Sequence, residues 1–295
     1  MKASERQAAK EFLRTFLLAA LCDIETMEFA GGGHHVDVPP RTLASVRELR
    51  IALRRMQYEI EALGPFLSSR AGGSLAGRLR TVAKPLGNLR DMEVLQEQLV
   101  TTLQAQRVTV ASSWVLARVS ADRERAQENA DLAVSSRAFR QTLDTVTEFA
   151  NALPDGDAYS QHLEIVVRRV VLTLWMNLHH AVKRARSAPS DERRHELRIA
   201  TKRLVYCVEA FSHSVETPPN DFINSLRVLQ RRLGRQHDRV VVATWLAKER
   251  SVTPTARHLL KSLSHRKRRR VKNDDEVWRE SWKCVRRQRH RETWF

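Results

Sequence analysis

Along most of this chain, apolar residues recur every three or four positions within runs rich in Leu, Ala, Arg, Glu and Gln. That spacing puts them on one stripe of a 3.6-residue helix. No segment shows the two-residue alternation of a strand. Glycine and proline are scarce and stand between the helical runs, as breakers do. Eight helices are predicted. The first covers about Ser4 to Phe29 and stops at Gly31-Gly32-Gly33, and the second runs from Pro39-Pro40 to about Leu63, before Gly64-Pro65. The third follows Gly72-Gly73 and reaches about Leu103, with a kink expected at Pro85. The fourth spans roughly Val108 to Leu153, with a break expected near Ser135-Ser136. The other four cover about Ala158–Arg186, Asp191–Ser214, Pro219–Arg250 and Pro254 to the end, with Ser190 and Thr253 as caps.

The second four runs repeat the first four. Glu48-Leu49-Arg50-Ile51-Ala52-Leu53-Arg54-Arg55-Met56 returns 148 residues later as Glu196-Leu197-Arg198-Ile199-Ala200-Thr201-Lys202-Arg203-Leu204. Leu86-Gly87-Asn88-Leu89-Arg90-Asp91 returns 147 residues later as Leu233-Gly234-Arg235-Gln236-His237-Asp238. Between these landmarks, Arg80 and Lys84 return as Arg227 and Arg231. The chain therefore reads as one all-α domain over 1–295 made of two copies of a unit, 1–153 and 154–295, with a boundary near Pro154-Asp155-Gly156. Four helices per copy, joined by short connections, predict two four-helix bundles related by a pseudo-two-fold axis.

What repeats best is positive charge. Arg47 falls on His195, Arg50 on Arg198, Arg54 on Lys202 and Arg55 on Arg203. On a helical wheel, Leu49, Leu53, Met56, Ile60 and Leu63 form a core stripe, and Arg47, Arg50 and Arg54 form a second stripe roughly 130° away. In the other copy Leu197, Leu204, Val208 and Phe211 form the core stripe, flanked by His195, Arg198 and Lys202. A charged stripe usually means a solvated face. Here carboxylates are nearly absent from it, so i,i+4 ion pairs do not account for the arginines. A duplicated core, moreover, would need only its apolar positions kept.

The next helix of each copy adds to the pattern. Arg80, Lys84, Gly87 and Asp91 share one face, as do Arg227, Arg231, Gly234 and Asp238. Glycine inside a helix costs about 1 kcal/mol against alanine, so its presence in both copies points to close approach by a packed helix or by a ligand. Asp91 and Asp238 stand without a nucleophile or a second acid, and are expected to hold repeated arginines in place.

Composition fits a polyanionic partner. Across 295 residues there are 51 Lys and Arg against 34 Asp and Glu, a net charge of +17 and a pI near 10.7. Nucleic acid, an acidic membrane surface or a phosphate polymer would each suit that balance. Apolar residues, at 42%, are enough for a packed core. The cysteines Cys22, Cys207 and Cys284 form no Cys-x-x-Cys pair, which suggests reduced thiols and the cytoplasm. No secretory signal is expected at the N-terminus. The most apolar segment, Val170 to Leu178, is too short to span a bilayer. The adjacent pairs His34-His35 and His179-His180 make poor chelates, and neither a metal site nor a cofactor is expected. The basic run from Arg266 to Lys272 fits either polyanion contact or a solvated face, and Trp278, Trp282 and Trp294-Phe295 are expected to anchor the last helix in the core.

Arg198-Ile199-Ala200-Thr201-Lys202-Arg203-Leu204, preceded by His195 and followed by Tyr206 and Glu209, resembles the signature of CHAD domains, the conserved histidine α-helical domains. The Leu-Gly-x-x-x-Asp elements at 86–91 and 233–238 and the tryptophan-rich end extend the resemblance over essentially the whole chain. It implies two pseudo-symmetric four-helix bundles with a basic groove or channel between them. It also implies binding of inorganic polyphosphate without catalysis, in the cytoplasm or on polyphosphate granules. The Glu-x-Glu-x-Lys element of the triphosphate-tunnel enzymes fused to some members is missing, so the chain is similar to the stand-alone type. Two departures stand out: Arg47 replaces the family's histidine in the first copy, and Gln57 and Val205 replace a further arginine. Repeat and resemblance together nominate Arg47, Arg50, Arg54, Arg55, Arg80, Lys84, Arg90, His195, Arg198, Lys202, Arg203, Arg227, Arg231 and His237 as polyphosphate ligands, with Asp91 and Asp238 orienting arginines. His195 and His237 are expected to strengthen binding at acidic pH. Non-specific nucleic-acid binding is the main rival, although aromatic residues make up only 6% and just Tyr58 and Tyr206 continue the basic stripes. An enzyme acting on phosphoanhydrides would need a carboxylate cluster to hold its metal, and the sequence suggests none.

Overall fold

The computed structural model of the chain describes residues 2–29, 43–67, 71–104, 109–154, 161–212, 218–249 and 254–291. Within them lie nine α-helices: α1 (Ala3–Phe29), α2 (Leu43–Leu63), α3 (Ala71–Gln104), α4 (Val110–Ser135), α5 (Arg137–Asn151), α6 (Gln161–Ser187), α7 (Asp191–Ser212), α8 (Asn220–Lys248) and α9 (Pro254–Arg289). A 3-10 turn, Gly64–Phe66, closes α2, and no strand occurs among the described residues. The predicted fourth helix divides where a break was expected. Ser136 takes an extended backbone, and its Oγ accepts the Phe139 N–H at 3.1 Å, which caps α5. Ser190 does the same for α7 by accepting the Arg193 N–H at 3.2 Å. Pro85 lies inside α3. Gly31–Gly33, His34-His35, Pro39-Pro40, Asp155-Gly156, Thr253 and Trp294-Phe295 fall outside the described residues, as do the side chains of 267, 268 and 270–272 in the basic run.

The predicted stripes form the core. Leu49, Leu53, Met56, Ile60 and Leu63 are buried on α2, as are Leu197, Leu204, Val208 and Phe211 on α7. Each such side chain contributes about 1.5–3 kcal/mol by leaving water. Trp278 and Trp282 are buried too, the latter stacked on Trp175 with ring centroids 5.1 Å apart. The main cluster is not divided between the halves. Phe12 of α1 meets Phe211 of α7 at 4.7 Å, and helices of both halves feed one continuous apolar mass. A smaller cluster joins Leu95 and Leu99 of α3, Val115 and Val119 of α4, Val242 and Leu246 of α8, and Leu260 and Leu263 of α9. Across the junction α1 packs on α6, α2 on α7, α3 on α8 and α4 on α9.

Contacts where α2 crosses α7 are reciprocal. Tyr58 and Tyr206, 148 positions apart, stack with centroids 5.9 Å apart. The Arg55 guanidinium lies 5.7 Å from the Tyr206 ring centre, and that of Arg203 lies 5.6 Å from the Tyr58 ring centre. Arg55 pairs with Glu209 at 3.5 Å, and Arg203 with Glu61 at 2.6 Å. At this crossing the Tyr58–Tyr206, Arg55–Glu209 and Arg203–Glu61 contacts exchange equivalent positions, as in an isologous interface between subunits.

One pair at this crossing has diverged. Glu59 and Cys207 occupy equivalent positions and are both fully buried. Burial pushes the Glu59 carboxyl up to about 7, while the neighbouring Cys207 thiol and Arg55 pull the other way. Burial likewise pushes the Cys207 thiol well above its usual range. Because the folded state raises this acid above its ordinary value of 4.5, stability is lost as pH climbs from there through about 7. Glu59→Gln should therefore gain on the order of 3 kcal/mol over the parent protein at pH 8 and nothing at pH 4.5. Urea unfolding at the two pH values measures this.

Candidate functional site

Where α2, α3, α7 and α8 come together, they enclose a cleft of about 440 Å³. Arg50, Arg54 and Tyr58 reach it from α2; Arg80, Gly87 and Asp91 from α3; His195, Arg198, Lys202 and Arg203 from α7; and His237 from α8. Six Lys and Arg side chains thus line it against one carboxylate, Asp91. The i, i+4 spacing of Arg50 and Arg54, and of Arg198 and Lys202, stacks each pair on one face of its helix. The flanking apolar stripes turn both faces toward each other.

Electrostatics in the cleft are strained in one direction. Burial, then the neighbouring Arg54, lowers the Arg50 guanidinium, and burial also lowers Arg198 although Asp238 and Asp91 support its charge. Lys202 is driven down to about 7 by burial and then by Arg198, Arg54 and Arg50, with Asp91 opposing. Asp91 and Asp238 are raised by burial, against the pull of Arg198. The buried Nε atoms of Arg50, Arg54, Arg198 and Arg203 have no hydrogen-bond acceptor among the described residues. An orphaned buried donor costs about 1–3 kcal/mol, so each is a place where an acceptor oxygen would be gained.

The two histidines sit together at the cleft. Their rings lie 5.5 Å apart. Burial, then Arg198, lowers both, and His237 falls to about 3. In the protein alone His237 stays neutral through the mildly acidic range, because burial and then nearby cations oppose a positive charge. Lys202 is the cleft group brought to about 7.

Not all the nominated residues converge. Arg47 and Arg90 line a separate open groove with Glu93, Glu97 and Arg123, where Arg90 pairs with Glu93 at 3.0 Å. Arg55 and Arg227 gather on Glu209, at 3.5 and 2.7 Å. Lys84 and Arg231 are exposed and line neither the cleft nor that groove. Asp238 stays close enough to Arg198 to support its charge. The glycines do not serve helix packing: a Cβ on Gly87 would meet only the Arg54 Nη2, at 3.5 Å, and one on Gly234 would meet nothing within 4 Å.

Three carboxylates to which sequence reasoning gave no role organise the cations. Glu61 accepts from both Arg80 and Arg203, at 2.6 Å each, while Glu209 serves Arg227 and Arg55. Their offset of 148 residues was the available signal. Asp275 of α9 accepts from Arg194 Nε and Nη2 at 2.9 and 2.7 Å, Gln236 Nε2 at 2.8 Å and Trp278 Nε1 at 3.0 Å. Against burial, which would raise it, these hydrogen bonds hold the carboxyl below its usual range. Arg194 and Gln236 immediately precede His195 and His237, so this one side chain fixes both histidine-bearing segments. Asp275→Asn should cost about 2–3 kcal/mol of unfolding free energy in denaturant titration, by losing a largely buried, forked ion pair.

The CHAD domain family model matches residues 37–247, from just before α2 to near the end of α8, and so takes in all four helices of the cleft. Two solved structures share the fold. PptA from Streptomyces chartreusis superposes with a TM-score of 0.74 at 18% identity, covering 94% of this chain and 99% of that one. The CHAD domain from the plant Ricinus communis superposes with a TM-score of 0.70 at 19% identity, covering 95% of this chain and 91% of that one. With the family model spanning most of its length, the chain belongs to the CHAD domain family.

Proposed function

We propose that this protein binds inorganic polyphosphate in the cleft between α2, α3, α7 and α8, without breaking it down. The observation that carries the reading is six Lys and Arg side chains against one carboxylate in a single enclosed site. A phosphate chain offers about one negative charge per unit and several acceptor oxygens. Arginines answer it with forked hydrogen bonds, and Lys202 with a point charge. Asp91 lies among Arg198, Arg50, Arg54 and Lys202, the setting of a carboxylate that orients cations. The cytoplasm, on polyphosphate granules, is the place of action that goes with this reading; among the described residues no helix is long and apolar enough to cross a membrane.

A nucleic-acid reading needs aromatic faces open to bases. Tyr58 is 3% exposed, its ring is stacked on Tyr206, and Arg203 lies over it. That favours phosphate over base recognition. Replacing Arg54 and Arg198 together by alanine should weaken long-chain polyphosphate binding at least 100-fold, at roughly 1.5–3 kcal/mol per charged hydrogen-bonding group. It should also flatten the salt dependence. Lys84→Ala with Arg231→Ala should change affinity less than threefold. Calorimetric titrations at two salt concentrations distinguish these results. Equal affinity for the cleft double variant and the parent would place the polymer elsewhere.

Lys202 sets the pH dependence. Its value of about 7 in the protein alone rises toward the ordinary 10.5 beside a polyanion, so binding takes up a proton between those limits. Affinity should be greatest below pH 7 and fall as pH increases through that window. Titrations at pH 8 in buffers of different ionisation enthalpy report the proton uptake, and Lys202→Arg should abolish it.

A further inference from the structure

Next to the cleft, across a wall that both share in Tyr58 and Arg203, lies a second cavity of about 370 Å³. It opens between the end of α2, the Gly64–Phe66 turn and α6. Its volume falls within the roughly 300–1,000 Å³ of small-molecule pockets.

The two cavities differ in charge. In the cleft the cations outnumber the carboxylates. In the second cavity they are matched within the protein: Arg203 pairs with Glu61 at 2.6 Å, and Arg169 with Glu5 at 2.7 Å. Its inner wall is apolar, made by Phe66, Val170 and Leu174, while Thr173 and Asn177 bring polar atoms to its α6 side. Such a lining suits an uncharged, partly apolar group with hydrogen-bonding edges. A bare phosphate chain would gain nothing there. A polyol would leave the apolar wall unmatched, and an acyl chain would bury the Asn177 amide without a partner.

Taken with the adjoining cleft, and resting on the polyphosphate reading of it, we infer that the site accepts nucleoside polyphosphates, with the phosphates among the cleft cations and the nucleoside in the second cavity. Arg203 stands at the junction, where the phosphate chain would leave the cleft and the nucleoside begin.

The test compares ATP with methyl triphosphate, which has the same number of phosphates and the same charge but no nucleoside. ATP should bind at least tenfold more tightly by calorimetry. Thr173→Trp, at an exposed position on α6 beside the cavity, should reduce that advantage to less than twofold and leave methyl triphosphate affinity unchanged, which also certifies the variant's fold. If ATP binds no tighter than methyl triphosphate, or keeps its advantage in Thr173→Trp, the second cavity is not a nucleoside site although the cleft still takes phosphates. If neither ligand nor inorganic polyphosphate binds, the reading of the cleft fails, and this inference fails with it.

Discussion

Cations brought together at the centre of a protein repel one another, and everything around the cleft answers that repulsion. Arg50, Arg54, Arg198 and Lys202 line one space, where burial first and their mutual opposition second lower the affinity of Lys202 for its proton. They stay because the apolar stripes one face away are locked into a core common to both halves. Burying such side chains yields more than the repulsion between partly hydrated charges costs. The site is thus preorganised: an anion arriving there meets donors already in position and relieves an existing cost instead of creating a new one.

The surrounding carboxylates divide the cations into two classes. Glu61 and Glu209 each hold two arginines at the crossing of α2 and α7, fixing guanidinium groups that would otherwise wander. Arg50, Arg54 and Arg198 keep buried Nε donors without acceptors among the described residues, and Arg203, which also has one, stands between the classes. Asp275 extends the framework to a third layer by tying α9 to the residues that precede both histidines.

The fold was largely legible because helical periodicity and scarce breakers leave little choice, and Ser136 marked a division that its capping hydrogen bond explains. The candidate site was legible where the repeat kept charge on the face next to the core stripe, as at Arg50, Arg54, Arg198 and Lys202. It was misleading where equal sequence positions meet unequal surroundings. Arg47 and Arg90 look outward into another groove, although their equivalents His195 and His237 line the cleft. Offsets in sequence say nothing about which face a neighbouring helix covers. Partners from the opposite half, such as Glu61 for Arg203, were hidden because pairing rules along one helix cannot reach across a junction. Side-chain type alone could not show how burial and neighbouring cations lower His237.

The two apolar clusters each draw on helices from both copies of the repeat. The halves therefore do not form jaws. Among the described residues, parting them would tear both clusters. The cleft is braced from both sides by a shared core, so the ordering that accompanies binding there falls on whatever enters it more than on the protein.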